Sequence, residues 1–187
     1  MWVGTFVHVS ETAVPEHDEK DWTWVLEQPC PECGFVSAEF DPAEVGFAIR
    51  FNARAWVALL EGDEAELRAH RRADRWSDLE YGAHVRDVFD LYLERFGLML
   101  TFDDPLYPNW DQNQAAIIGA YNGQTPHVVA LDLAAAAGSL ADAFEAVAAV
   151  GWGRTGRRSD EASFTVESFA RHLVHDPVHH PWDVNRG

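Results

Sequence analysis

Apolar residues recur at helical spacing in four long segments of this chain, and nowhere do they alternate with the period of two that a half-buried strand needs. That pattern predicts an all-α fold, a four-helix bundle with two long connections. The first segment covers 42–61: Asp41 is placed to cap it, Pro42 suits the first helical position, and Val45, Ile49, Trp56 and Leu59 or Leu60 share one side before Gly62. The second opens on Ser77-Asp78-Leu79-Glu80, where Ser77 and Glu80 can satisfy each other's free amides, and continues to Leu100. Tyr81, Val88, Leu91, Tyr92 and Met99 fall on its inner face, with Arg86, Asp90 and Glu94 outside. The third starts at Thr125-Pro126 and runs toward Val150, with Leu133, Leu140, Phe144 and Val147 inward. The fourth, VESFARHLVHDPVHHPWDV, is capped by Thr165 and interrupted by Pro177 and Pro181. The charged stretch 63–75, the turn-rich stretch 101–124 with one short helical piece, and GWGRTGRRSDEAS read as connections.

Residues 1–40 carry prolines at 15, 29 and 31 and no sustained period, so they read as an irregular N-terminal arm over a bundle domain spanning 41–187, with Trp22 and Trp24 as anchors. In a chain of 187 residues, 47% hydrophobic, a packed core is within reach. Fourteen Lys and Arg against 31 Asp and Glu give a formal charge of −17, the opposite of the basic footprint that binds phosphate backbones or anionic lipid. No nucleic-acid or membrane partner is expected. The apolar runs are expected to fall short of the ~20 residues that cross a bilayer, and no basic leader precedes an apolar run, so the expected location is cytoplasmic.

Histidine is where chemistry concentrates: nine in the chain, four of them between His172 and His180. On the second helix His84 falls on the inward side near Val88 and Leu91. On the fourth, Asp176 and His180 fall among Val166, Phe169, Leu173 and Val184. His172 lies at the edge of that face, and His175 and His179 turn toward the charged side with Arg171. An inward carboxylate and two inward imidazoles are costly unless a hydrogen-bonded network or a cation neutralises them. Helical i,i+4 spacing presents two such side chains to one ion, and a facing helix supplies a third. If Pro177 rotates the last turns, His175 and His179 become the ligand pair instead. Asp87 is a candidate to orient His84, and Arg95, inward near Leu91, to bind a substrate carboxylate.

The stretch RWSDLEYGAHVRDVFDLY, followed far downstream by FTVESFARHLVHDPVHHPWDV, resembles the DinB-like superfamily, which includes mycothiol-dependent maleylpyruvate isomerase. Trp76-Ser77 with His84 seven residues after Ser77, and the histidine-rich last helix ending in Asp183-Val184, carry the resemblance over about 41–185. It implies a four-helix bundle with a divalent metal on three side chains, His84, Asp176 and His180, where Asp176 stands at a position usually held by His or Glu. Imidazole and carboxylate ligands suit Zn, Ni, Fe or Mn, zinc favoured, and the resemblance further implies a low-molecular-weight thiol such as mycothiol or bacillithiol as cosubstrate. The expected function is that of a metal-dependent transferase or isomerase acting on a small electrophile. A metal-dependent hydrolase and a non-catalytic metal- or ligand-binding stress-response protein are the alternatives. Similar bundles form dimers, which leaves a homodimer as a candidate assembly.

Cys30-Pro-Glu-Cys33-Gly resembles half of a zinc knuckle, and no second cysteine pair exists. His8, His17 or a carboxylate is a candidate to complete a second metal site; a redox pair is the other active reading, inert cysteines the plain one.

Overall fold

A computed structural model of the chain describes residues 22–185. In chain order the α-helices are α1 (Val45–Leu60), α2 (Glu64–Arg68), α3 (Asp78–Thr101), α4 (Gln112–Ile118), α5 (Pro126–Glu145) and α6 (Val166–Asn185). The four long ones, α1, α3, α5 and α6, form a bundle in which α5 and α6 each pack against both α1 and α3. Its core is aromatic and aliphatic: Phe96 lies 4.2 Å from Phe144, Tyr92 4.4 Å from Phe169, and Trp56, Leu133, Leu140 and Leu173 are buried. Each such side chain stabilises the fold by roughly 1.5–3 kcal/mol relative to exposure.

Helix ends follow their local chemistry. Ser77 Oγ accepts from the Glu80 amide at 3.3 Å while Glu80 Oε2 accepts from the Ser77 amide at 2.7 Å, the reciprocal cap expected. Thr165 Oγ1 caps α6 through the Ser168 amide. Asp41 caps a 3-10 turn, Pro42–Glu44, that leads into α1. The α6 helix passes through both Pro177 and Pro181 without interruption. Each proline lacks an amide proton, so the carbonyls of Leu173 and Pro177 lose their intrahelical donors.

Three expectations need correction. A small sheet is present: β1 (Leu106–Tyr107) pairs parallel with β2 (Thr155–Arg158), which pairs antiparallel with β3 (Ser163–Thr165). Strands of two to four residues are too short to display a period of two, and the loop reading of GWGRTGRRSDEAS misses β2. At Gly156 a Cβ would lie 2.7 Å from Met99 Cγ, so the sheet lies close on α3. The third long helix ends at Glu145, followed by a 3-10 turn at Ala149–Gly153. Lastly, α5 is by length and composition alone apolar enough to cross a membrane, at a mean hydropathy of 1.3. Its alanine run supplies that apolarity, and here it serves as the core helix between α1 and α3.

Residues 22–44 lie along the bundle as three 3-10 turns, Trp22–Leu26, Ser37–Glu39 and Pro42–Glu44. Val25 is fully buried, and Arg171 of α6 reaches back to hydrogen-bond the Ser37 carbonyl. His8 and His17 lie outside the described residues.

Candidate metal centre

His84 stands in the first half of α3, where the core-facing stripe of that helix carries it fully inside; it is 1% exposed. Its ring stacks on Trp110 at 5.4 Å, lies 5.1 Å from Trp76 and meets the edge of His180 at 4.8 Å. From the facing α6, one helical turn places Asp176 and His180 together. Asp176 Oδ1 is 3.5 Å from His84 Nε2 and 3.4 Å from His180 Nε2, and one donor atom from each of the three residues lies within 4.8 Å of the others.

These separations are too long for good hydrogen bonds. Among the described residues, neither ring nitrogen of His84 nor Asp176 Oδ1 has a hydrogen-bond partner, although all are buried. Orphaned buried polar atoms are costly, and His84 Nε2 and Asp176 Oδ1, which face each other beside His180 Nε2, form a donor group that a cation relieves. A tetrahedral zinc with bonds of ~2.0–2.2 Å holds its nitrogen and oxygen donors about 3.4 Å apart, close to the spacing that Asp176 keeps from both histidines. Burial holds the His84 imidazole below its ordinary range, against the pull of Asp176. Burial also opposes ionisation of Asp176, but His180 and His84 beside it hold its carboxyl well below the usual carboxylate range. The outcome is a carboxylate beside a neutral His84, the state in which lone pairs are available to a metal.

Asp176 and His180 line a cavity of about 350 Å³ whose walls also carry Tyr92, Arg95, Trp110 and Arg158. Asp176 keeps 29% of its side-chain surface, so this residue borders the cavity although the facing donor atoms are themselves buried. Arg95 is buried as its position on the inner face implies; Pro108 O takes one of its N–H groups at 2.7 Å, and its guanidinium lies 5.0 Å from the Tyr107 ring. Arg158 comes from β2 and pairs with Asp160 at 2.9 Å. His172 is buried and hydrogen-bonded with Tyr92.

Sequence reasoning leaves three residues in the wrong place. Asp87 does not touch His84: it accepts from the Tyr121 hydroxyl and pairs with Arg86. His175 and His179 do not turn to solvent with Arg171, nor do they join His84; both are buried beneath the arm, with Trp22 5.3 and 4.9 Å away. A helical wheel counts only the bundle as interior, whereas the arm covers this face of α6. Trp110 and Arg158 were not foreseen in the site, and they reach it from connections with no periodic signal. Cys30 and Cys33 are free thiols beside His175 and His179.

The sequence model of the DinB superfamily matches residues 35–182. The chain belongs to the DinB superfamily. That match spans α1, α3 and α5, most of α6 and the three candidate ligands, so the DinB bundle is the frame in which the site is built. Among solved structures, YfiT from Bacillus subtilis is similar in fold, with a TM-score of 0.64 at 16% identity over 86% of this chain and 90% of that one. It is described as a probable metal-dependent hydrolase with an unusual four-helix bundle topology. No curated protein matches the chain.

Proposed function

We propose that this DinB-superfamily chain is a metal-dependent enzyme, a transferase or isomerase that uses a low-molecular-weight thiol on a small, anionic electrophile. The observation that carries the reading is the convergence of His84 with Asp176 and His180, with orphaned donor atoms on His84 and Asp176, where Asp176 and His180 wall a cavity that also presents Arg95. Two imidazoles and one carboxylate suit a borderline divalent cation, zinc first, with Ni, Fe and Mn sharing the donor preference. Bound there, such a cation supplies Lewis acidity, lowering the pKa of a thiol or a water and polarising a carbonyl.

The chain's own residues do the rest. Arg95 and Arg158 offer guanidinium groups to a substrate carboxylate in an otherwise acidic protein. Trp110 and Tyr92 wall the cavity and limit the water that reaches a reactive thiol. The cavity carboxylates already have roles: Asp160 pairs with Arg158, Asp111 accepts from the Gln114 amide, and Asp176 belongs to the proposed donor set. Among the described residues that line the cavity, no other carboxylate remains to serve as a general base. A thiol, with a pKa of ~8–9, needs a base less than water does, and this favours thiol chemistry over hydrolysis. Hydrolysis is the second reading, favoured by the description of YfiT.

Metal-loaded protein incubated with mycothiol or bacillithiol and a panel of unsaturated or halogenated carboxylic acids tests the reading. Thiol consumption that disappears in His84→Ala, and a raised KM in Arg95→Ala with kcat little changed, are expected. Turnover of esters or amides with no thiol present would replace this reading with the hydrolytic one.

A further inference from the structure

The arm's cysteines are 142 residues or more from His175 and His179 in sequence, yet they meet them in space. Residues 30–35 form a closed turn: the Cys30 amide donates to the Phe35 carbonyl at 2.8 Å, and the Gly34 amide donates to the Cys30 carbonyl at 3.0 Å. Gly34 has φ +76°, a conformation glycine adopts without strain. This turn brings Cys30 and Cys33 to the same side, against His175 and His179 one helical turn apart on α6. One donor atom from each of the four residues lies within 4.8 Å of all the others.

We infer that Cys30, Cys33, His175 and His179 form a second, structural zinc site that clamps the arm to α6. Tetrahedral zinc, with Zn–S of ~2.3 Å and Zn–N of ~2.0 Å, sets sulfur and nitrogen donors about 3.6 Å apart. Cys30 Sγ is 3.7 Å from His179 Nδ1. On the far side of that ring, His179 Nε2 is 3.2 Å from Glu32 Oε2, a carboxylate placed to accept a hydrogen bond from Nε2–H and so leave the Nδ1 lone pair facing the sulfur. His175 is 3% exposed, and among the described residues its Nε2 has no hydrogen-bond partner. Two soft sulfurs with two imidazoles select zinc over harder cations, and four protein ligands close the site to substrate.

The location gives the clamp a purpose. His175 and His179 alternate along α6 with Asp176 and His180, so the same two turns face the arm on one side and the bundle centre on the other. Trp22, which lines the cavity, packs on both His175 and His179. The second zinc therefore holds one wall of the cavity in place without reaching substrate.

The test uses the full chain purified without an affinity tag, with divalent ions per chain counted by elemental analysis and the spectrum recorded after cobalt exchange. The native protein is expected to hold two ions and to show a thiolate-to-cobalt charge-transfer band in the near ultraviolet. Cys30→Ser/Cys33→Ser is expected to keep one ion and lose the band; His84→Ala/His180→Ala also keeps one ion but retains the band. A native count of one with the band present would remove the bundle site and leave this one standing. Absence of the band in the native protein, or an unchanged count in the cysteine variant, overturns the inference. Because the cysteine variant is at risk of misfolding, thiol alkylation of the native protein gives an independent reading. Zinc should shield both thiols and a chelator should expose them; equal alkylation with and without chelator overturns the inference.

Discussion

His84 lies between the Trp76 and Trp110 rings with His180 at its edge, so its side chain is positioned by packing on three sides and by no hydrogen bond among the described residues. That the residue faces inward follows from spacing alone, because Val88, Tyr92 and Met99 mark one stripe of α3 and His84 lies on it. What surrounds it does not follow, since Trp110 comes from a connection. Asp87 shows the same limit at close range: its nearness to His84 in sequence suggests an orienting role, yet the Tyr121 hydroxyl holds it. Asp87→Ala would leave the hydroxyl of Tyr121, a residue 1% exposed, without its acceptor. The expected cost is about 1–3 kcal/mol in urea unfolding, with metal content unchanged; a loss of metal would return Asp87 to the metal centre. Histidine burial also sets a pH response. Burial lowers His84, and burial followed by the influence of His179 takes His175 from the ordinary 6.5 to about 4. Unfolding lets both take up protons they resist in the fold. In metal-stripped protein their contribution to stability is therefore intact above pH 6.5 and lost as the pH falls toward about 4. Urea midpoints of chelator-treated protein should decline across that window, and a flat profile would contradict it.

At the scale of elements, α3 and α6 are the best-read parts of the chain. Ser77 and Glu80 announce the start of one, Thr165 that of the other, and both caps form. The prolines of α6 signal a break that does not occur. A proline removes one hydrogen bond from a helix, and packing of α6 against α1, α3 and the arm outweighs that loss. Had Pro177 shifted the register, His175 and His179 would have reached His84; the continuous helix instead sends Asp176 and His180 there. The small sheet is the element hidden from pattern reading, because its strands are shorter than the pattern. It carries Arg158 to the cavity, and its close approach to α3 rests on Gly156. Gly156→Val would drive side-chain atoms into Met99 and Tyr107, 2.7 and 3.1 Å from the position of a Cβ. A destabilisation of roughly 1–3 kcal/mol, typical of overpacking, is expected in thermal or urea unfolding; no change would mean that β2 moves freely away from α3.

The whole molecule joins two kinds of construction. The bundle is local in its logic: four amphipathic helices bury one core, and that architecture is legible from spacing, cap residues and the resemblance together. The arm is not local, since it has no period and its partners lie on the last helix. A wheel drawn on the bundle alone therefore leaves His175 and His179 facing outward, when Trp22 and Phe35 cover them. Charge is likewise uneven. A chain of net −17 keeps Arg95 and Arg158 at its cavity, the feature on which the proposed preference for an anionic substrate rests. Two donor clusters of different chemistry share one helix, nitrogen and oxygen toward the bundle, nitrogen and sulfur toward the arm. A cation bound at either one stabilises the folded state by mass action, by about 2.7 kcal/mol at a hundredfold excess over Kd.

The most direct measurement of the central claim is a calorimetric zinc titration of chelator-stripped native protein beside His84→Ala/His180→Ala, with folding of both verified by circular dichroism. Binding at His84, Asp176 and His180 predicts that the native chain takes up one more equivalent of zinc than the variant, with a matching rise in melting temperature. Equal uptake by the two folded proteins would contradict it.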